Sequence, residues 1–190
     1  MSAAVAALAS ALMQASGASS QAQTAPEPPG RFSTATVNPY PARPADVESL
    51  DAIMRAVYDV ISGPAGQKRD WDRMRSLFVA DARLMPKAPA GLRVGTVEDY
   101  IATSGPILEQ RGFIEKEIAR EAEQYGDIAH VFSTYEARNA ADGPVIMRGI
   151  NSFQLVRHGG RWWVVSIMWQ QETPQNPIPP NYLGATSERG

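Results

Sequence analysis

Apolar positions are densest over residues 145–171, where the runs VIMRGINSFQLVRH and RWWVVSIMWQQ flank Gly159-Gly160. Two glycines between strand-like runs predict a hairpin, because both central positions of a type I′ turn need φ > 0. A two-residue loop sets the register, so His158 is expected opposite Arg161, Val156 opposite Trp163, Gln154 opposite Val165, Ser152 opposite Ile167 and Ile150 opposite Trp169. The other face then carries Met147, Asn151, Phe153 and Leu155 with Trp162, Val164, Ser166 and Met168. Neither face is the polar surface of a solvated antiparallel sheet, so both need a cover. In a short chain the expected covers are its own helices on one side and a second subunit on the other.

Upstream the period changes from two to between three and four. Leu50, Ile53, Met54, Val57, Tyr58 and Ile61 form one helical stripe, with Asp46 as the expected cap and Ser62-Gly63-Pro64 as the stop. A second helix is predicted over residues 70–78, with Trp71, Met74, Leu77 and Phe78 inward, followed by a brief strand at 83–85 that stops at Pro86. A third helix starts at the cap Thr96 and carries Val97, Tyr100, Ile101 and Ile107. Strand-like runs follow at 113–125, 128–139, 145–158 and 161–171. Helices first and an antiparallel sheet last make an α+β domain.

The ends differ in composition. Residues 1–26 carry no charged side chain, and AAVAALASALM at 3–13 has the length of a signal-peptide core and is too short to span a bilayer. This predicts export, periplasmic or secreted, with a signal peptide over 1–25. A Pro-rich linker over 26–45, a domain over 46–172 and an extended Pro-rich tail over 173–190 complete the organisation. The net charge of −2 with scattered Lys and Arg gives no basic stripe for nucleic acid, and no segment reads as a membrane span. The absence of cysteine excludes thiolate metal sites, a Cys nucleophile and disulfides.

The segments MRAVYDVI and RDWDRMRSLFVADARLMP and the final hairpin GGRWWVVSIMW resemble the nuclear transport factor 2-like family, also called the SnoaL-like or ketosteroid-isomerase-like fold, from about residue 47 to 172. The resemblance implies a conical barrel of N-terminal helices packed on a curved, mainly antiparallel sheet around an apolar cavity. It also implies a homodimer through the outer sheet face, expected here from Phe153, Leu155, Trp162, Val164 and Met168. The isomerase branch uses a helix-1 tyrosine, an aspartate before a proline and an acidic donor on a late strand. These positions fall on Tyr58, Met85 and Ser152. A thioether cannot take a proton and a serine is a weak substitute for a buried acid, so that mechanism is not expected.

Carrying the alternation to the neighbouring strand places Glu136 opposite Arg148 and Phe132 opposite Ser152, on one face with His130 and Gln154. With the family's inner face assigned to Val165, Ile167 and Trp169, these residues are expected to line the cavity together with Tyr58 and Trp71. In the catalytic version Glu136 is the acid or base, with Arg148 and Tyr58 as electrostatic partners. The plainer alternative is a Glu136–Arg148 ion pair at the rim. Two histidines on different faces give no metal site, and no cofactor is expected. The expected partner is a small apolar molecule, bound without turnover or transformed by a cofactor-independent isomerase, dehydratase or hydrolase-like activity. A non-catalytic dimerisation domain is the third alternative.

Overall fold

The computed structural model describes residues 38–184. The proposed signal peptide and most of the linker lie outside these residues. Among the described residues no helix is long and apolar enough to cross a membrane.

The first helical stripe forms α2 (Leu50–Ile61), and a single turn, α1 (Pro44–Val47), precedes it. The expected Asp46 cap is displaced: Ser49, in extended conformation, accepts from the Ala52 backbone N–H at 3.1 Å and starts α2. Asp46 instead accepts two hydrogen bonds from the Arg73 guanidinium, at 2.8 and 2.9 Å. That pairing ties α1 to α3 (Trp71–Leu77), which Asp70 caps. Helix α4 (Val97–Arg111) opens with a full capping box, in which Thr96 and Asp99 satisfy each other's backbone donors. Its inward residue near the C-terminus is Leu108, while Ile107 is exposed.

The strands are β1 (Phe78–Ala88), β2 (Gly91–Leu92), β3 (Ile114–Tyr125), β4 (Ile128–Arg138), β5 (Met147–His158) and β6 (Arg161–Gln171). They make one open, curved sheet in the order β2-β1-β6-β5-β4-β3. All neighbours are antiparallel except β1 and β6. That parallel pair is possible because helices, rather than a tight turn, separate β1 from the rest of the sheet. Gly159 and Gly160 have φ of 60° and 78°, as the hairpin turn requires.

Helices α2, α3 and α4 lie on the concave side. Ile53, Met54 and Tyr58 of α2 pack there with Leu77, Phe78, Val131, Phe153, Leu155, Trp162 and Val164, all buried. The residues expected to form an outer dimer patch are therefore core, with Met168 the exception at 43 % exposure.

The convex side has a cover of its own. After β6 the chain turns at Thr173–Asn176, buries Ile178 and forms a single 3₁₀ turn at Pro180–Tyr182. The Tyr182 ring packs 5.1 Å from Phe132, and Thr134 Oγ1 donates to the Tyr182 carbonyl at 2.5 Å. The residues read as an extended tail act, up to Gly184, as a strap across the sheet.

Candidate functional site

The decisive feature of the sheet is one residue. From the Gly-Gly turn, His158 pairs with Arg161 and Val156 with Trp163, but Leu155 pairs with Val164 and Gln154 with Ser166. Val165 is thus the extra residue of a β-bulge. Beyond it every pairing shifts by one: Phe153 faces Ile167, Ser152 faces Met168 and Asn151 faces Trp169. A one-residue shift moves a strand's side chains to the opposite face. Ile167 and Trp169 consequently point to the concave side with Asn151 and Phe153, whereas Ser152 and Gln154 point to the convex side.

The expected polar cluster moves with them. Glu136 does lie opposite Arg148, Phe132 opposite Ser152 and His130 opposite Gln154. They occupy the convex face, away from the cavity, which corrects the expectation that Glu136 and Arg148 share a site with Trp169. Nor do the two pair directly. Glu136 accepts from Arg138 at 2.8 Å, and Arg148 donates to Glu172 at 2.9 Å. Phe132 and Ser152 line a convex groove of about 570 Å³ beneath the strap, with Ile150, Met168, Ile178 and Tyr182, and Trp169, which also lines the cavity on the other side, reaches its edge. His130 and Gln154 are exposed, and His130 Nδ1 lies 3.7 Å from Glu123. Val165 is exposed in the bulge and does not reach the cavity. Trp71 packs behind the cavity: its ring lies against Gly105 of α4, and its indole N–H donates to Glu109 at 3.0 Å.

On the concave side, a cavity of about 240 Å³ lies between the sheet and α2, α3 and α4. Val57, Ile61, Met74, Phe78, Leu84, Leu108, Phe153 and Ile167 give it apolar walls. Tyr58 and Trp169 also line it, and Trp169 packs edge-on against Tyr100 at 6.3 Å between ring centres. Polar groups reach the lining from Tyr58, Tyr100, Ser104, Glu115, Tyr135 and Asn151.

Glu115 is the carboxylate of this lining. Asn151 Nδ2 donates to it at 3.2 Å and to the Tyr58 hydroxyl at 3.1 Å. Among the described residues no lysine or arginine lines the cavity. Burial pushes the Glu115 carboxyl up to about 7, and the Asn151 hydrogen bond only partly offsets it. Its neighbours respond in kind: burial raises the Tyr58, Tyr100 and Tyr135 hydroxyls above the usual range, and the Glu115 charge adds to each shift. Tyr135 fits because Gly149 stands beneath it, where an added Cβ would meet its hydroxyl at 2.6 Å.

Sequence reasoning missed Glu115 because FIEKEIAREAEQY carries charge on both faces. The available signal was Phe113, two residues earlier, which shares the inward face with Glu115 and lines the cavity with it.

No protein-family model matches the chain, and no curated protein matches it either. Among solved structures, a protein of unknown function with a cystatin-like fold from Nostoc punctiforme is 14 % identical, with a TM-score of 0.53 over 68 % of this chain and 92 % of that one. An NTF-2-like protein of unknown function from Silicibacter pomeroyi is 18 % identical, with a TM-score of 0.48 over 65 % and 92 %. The chain has a cystatin-like α+β fold. At these identities the likeness concerns fold alone, and function must be argued from the site.

Proposed function

We propose that the domain binds a small, largely apolar molecule in the concave cavity, with a polar end of that molecule meeting Glu115. The observation that carries this reading is the placement of one carboxyl among apolar walls with no cation beside it. A carboxyl held among apolar walls with a single amide donor and no counter-charge is costly to the fold, and perturbed groups of this kind cluster at ligand sites. Native mass spectrometry of protein purified from its own host tests the reading. A bound small molecule, one per chain, that is lost in Glu115→Gln or in a cavity-filling Ile167→Trp variant is the expected result. A ligand retained by both variants, or no ligand with no binding of small apolar carbonyl compounds or alcohols by the purified protein, would overturn it.

A second reading, proton transfer without a cofactor, is favoured by the same carboxyl. A group titrating near 7 has both its acid and its base form available at neutral pH. Tyr100 and Tyr135 supply neutral hydroxyls for a developing oxyanion. Exchange of acidic C–H protons of a bound carbonyl compound in D2O, followed by NMR, tests it. Exchange should follow the ionised fraction of Glu115 and vanish in Glu115→Gln.

The homodimer expected from the sequence becomes, with Phe153, Leu155, Trp162 and Val164 buried, a proposal for a convex patch that keeps Met168 from the first set and adds Ile128. Its test is sizing of the Ile128→Lys variant against the unmodified chain.

A further inference from the structure

The hydrogen bonds that reach Glu115 continue past the cavity. Glu117, one step along the same face of β3, accepts from the Arg120 guanidinium at 2.5 to 3.0 Å, and Arg120 also holds Asp51 at 2.5 Å near the surface. Ser133 Oγ donates to Glu117 at 2.5 Å. Tyr58 and Ser133 share a hydrogen bond of 2.6 Å, and Asn151 joins Tyr58 to Glu115.

Counting protons gives this chain a direction. An ionised carboxylate only accepts, and a serine hydroxyl has one hydrogen to give. Ser133 spends its hydrogen on Glu117, so the bond between Ser133 and Tyr58 is donated by Tyr58. The tyrosine hydroxyl then has no hydrogen left for Asn151 or for a ligand, and it accepts from Asn151 Nδ2. With its NH2 group turned to Tyr58, Asn151 presents its second N–H to Glu115.

We propose that Glu117, which lies outside the cavity, orients the Asn151 amide through Ser133 and Tyr58 so that Glu115 always meets an N–H donor. Tyr58 is accordingly a positioning residue, although it lines the cavity and was expected to act on a ligand directly. The relay rests on the reading of Glu115 as the ligand-facing group and adds its control: it favours the carboxylate against the burial that favours the acid. A ligand therefore meets a base able to accept an O–H, N–H or acidic C–H proton. The groups facing Glu115 are Tyr58 from α2, Tyr100 from α4, Tyr135 from β4 and Asn151 from β5, with Glu117 on its own strand.

The test is the Glu115 titration, followed by NMR of its side-chain carboxyl carbon in the ligand-free protein, so that it does not depend on whether the cavity binds anything. In Ser133→Ala, Tyr58 loses its acceptor and turns its hydrogen to Asn151, whose amide must then present oxygen to both Tyr58 and Glu115. The Glu115 midpoint should rise by about one pH unit. Tyr58→Phe alone should leave the midpoint within about 0.3 unit of the parent, since Asn151 is free to donate. The double variant Ser133→Ala/Tyr58→Phe should return toward the parent value, a rescue that a purely structural role would not produce. A folded Ser133→Ala protein with an unchanged midpoint would overturn the relay. If that variant does not fold, the unmodified protein decides: Asn151 side-chain NH2 protons should show close contacts to the Tyr58 ring and shift as Glu115 titrates, and an amide turned the other way would overturn it. Loss of ligand binding is read separately in Glu115→Gln, so failure of the relay and failure of the binding site give different results.

Discussion

Two glutamates on neighbouring strands show what the two faces of this sheet do to the same side chain. Glu136, on the convex face, accepts from Arg138 and is partly exposed. Glu115, on the concave face, has an asparagine and three tyrosines around it and no cation. The residue type is shared and the charge is nominally the same. What differs is the side of the sheet, and with it the surroundings: both are partly exposed, but one meets a guanidinium and the other apolar walls. An ion pair open to water contributes little, whereas a carboxylate held among apolar walls has its protonation equilibrium moved toward neutrality.

The largest expected effect breaks the comparison at the level of the fold. Leu155, once assigned to the outer face, is 3 % exposed, so Leu155→Arg buries an unpaired cation and should leave no soluble folded protein, as seen by loss of cooperative thermal unfolding. A soluble, folded monomer from this variant would return Leu155 to the surface. Next, Phe153→Ala on the concave face should cost about 3 to 5 kcal/mol in denaturant unfolding, against under about 1 kcal/mol for Met168→Ala on the convex face. Equal costs would erase the distinction between the two sides.

The third expectation concerns pH. Glu115 is raised from 4.5 to about 7 in the folded state, so between those values the folded protein binds more protons than the unfolded chain, and stability falls as pH rises. The stability associated with the neutral carboxyl is fully present below about 4.5 and lost by the time pH passes 7. Glu115→Gln, which cannot ionise, should match the parent near pH 4.5 and exceed it at pH 8 by on the order of 3 kcal/mol. Parallel stability curves from pH 4.5 to 8 would contradict the buried carboxyl. The smallest effect belongs to the convex pairs: Glu136→Gln or Arg148→Met should change stability by no more than about 1 kcal/mol and leave ligand binding alone. A large loss of binding in either would bring the convex cluster back as a site.

Much of the fold was legible because its signals are local. The stripe Ile53, Met54, Val57, Tyr58 and Ile61 needs only the helical period, Thr96 with Asp99 needs only the first turn of α4, and Gly159-Gly160 needs only its own φ angles. The placement of Glu136 opposite Arg148 followed from strand alternation once Arg138 was set near Ile146 across the connection at 139–144. The site was less legible because it depends on which face each alternation turns inward. RWWVVSIMWQQ contains no glycine or proline to mark the bulge at Val165, and a continuous register through that point carries Ser152 and Gln154 inward with Trp169.

The sequence by itself thus determined most of the elements, the Thr96 cap and the hairpin turn, since each rests on backbone geometry and neighbours within a few residues. Only the tertiary structure decided the rest. Packing the helices on Asn151, Phe153 and Leu155, with the strap over Phe132, makes one face of the sheet the interior and the other the exterior. That choice places Glu115 in a cavity and Glu136 beside Arg138, and no local pattern distinguishes the two. Burial is a property of what the rest of the chain brings to a residue, and it is burial that makes one of these carboxylates a candidate for chemistry.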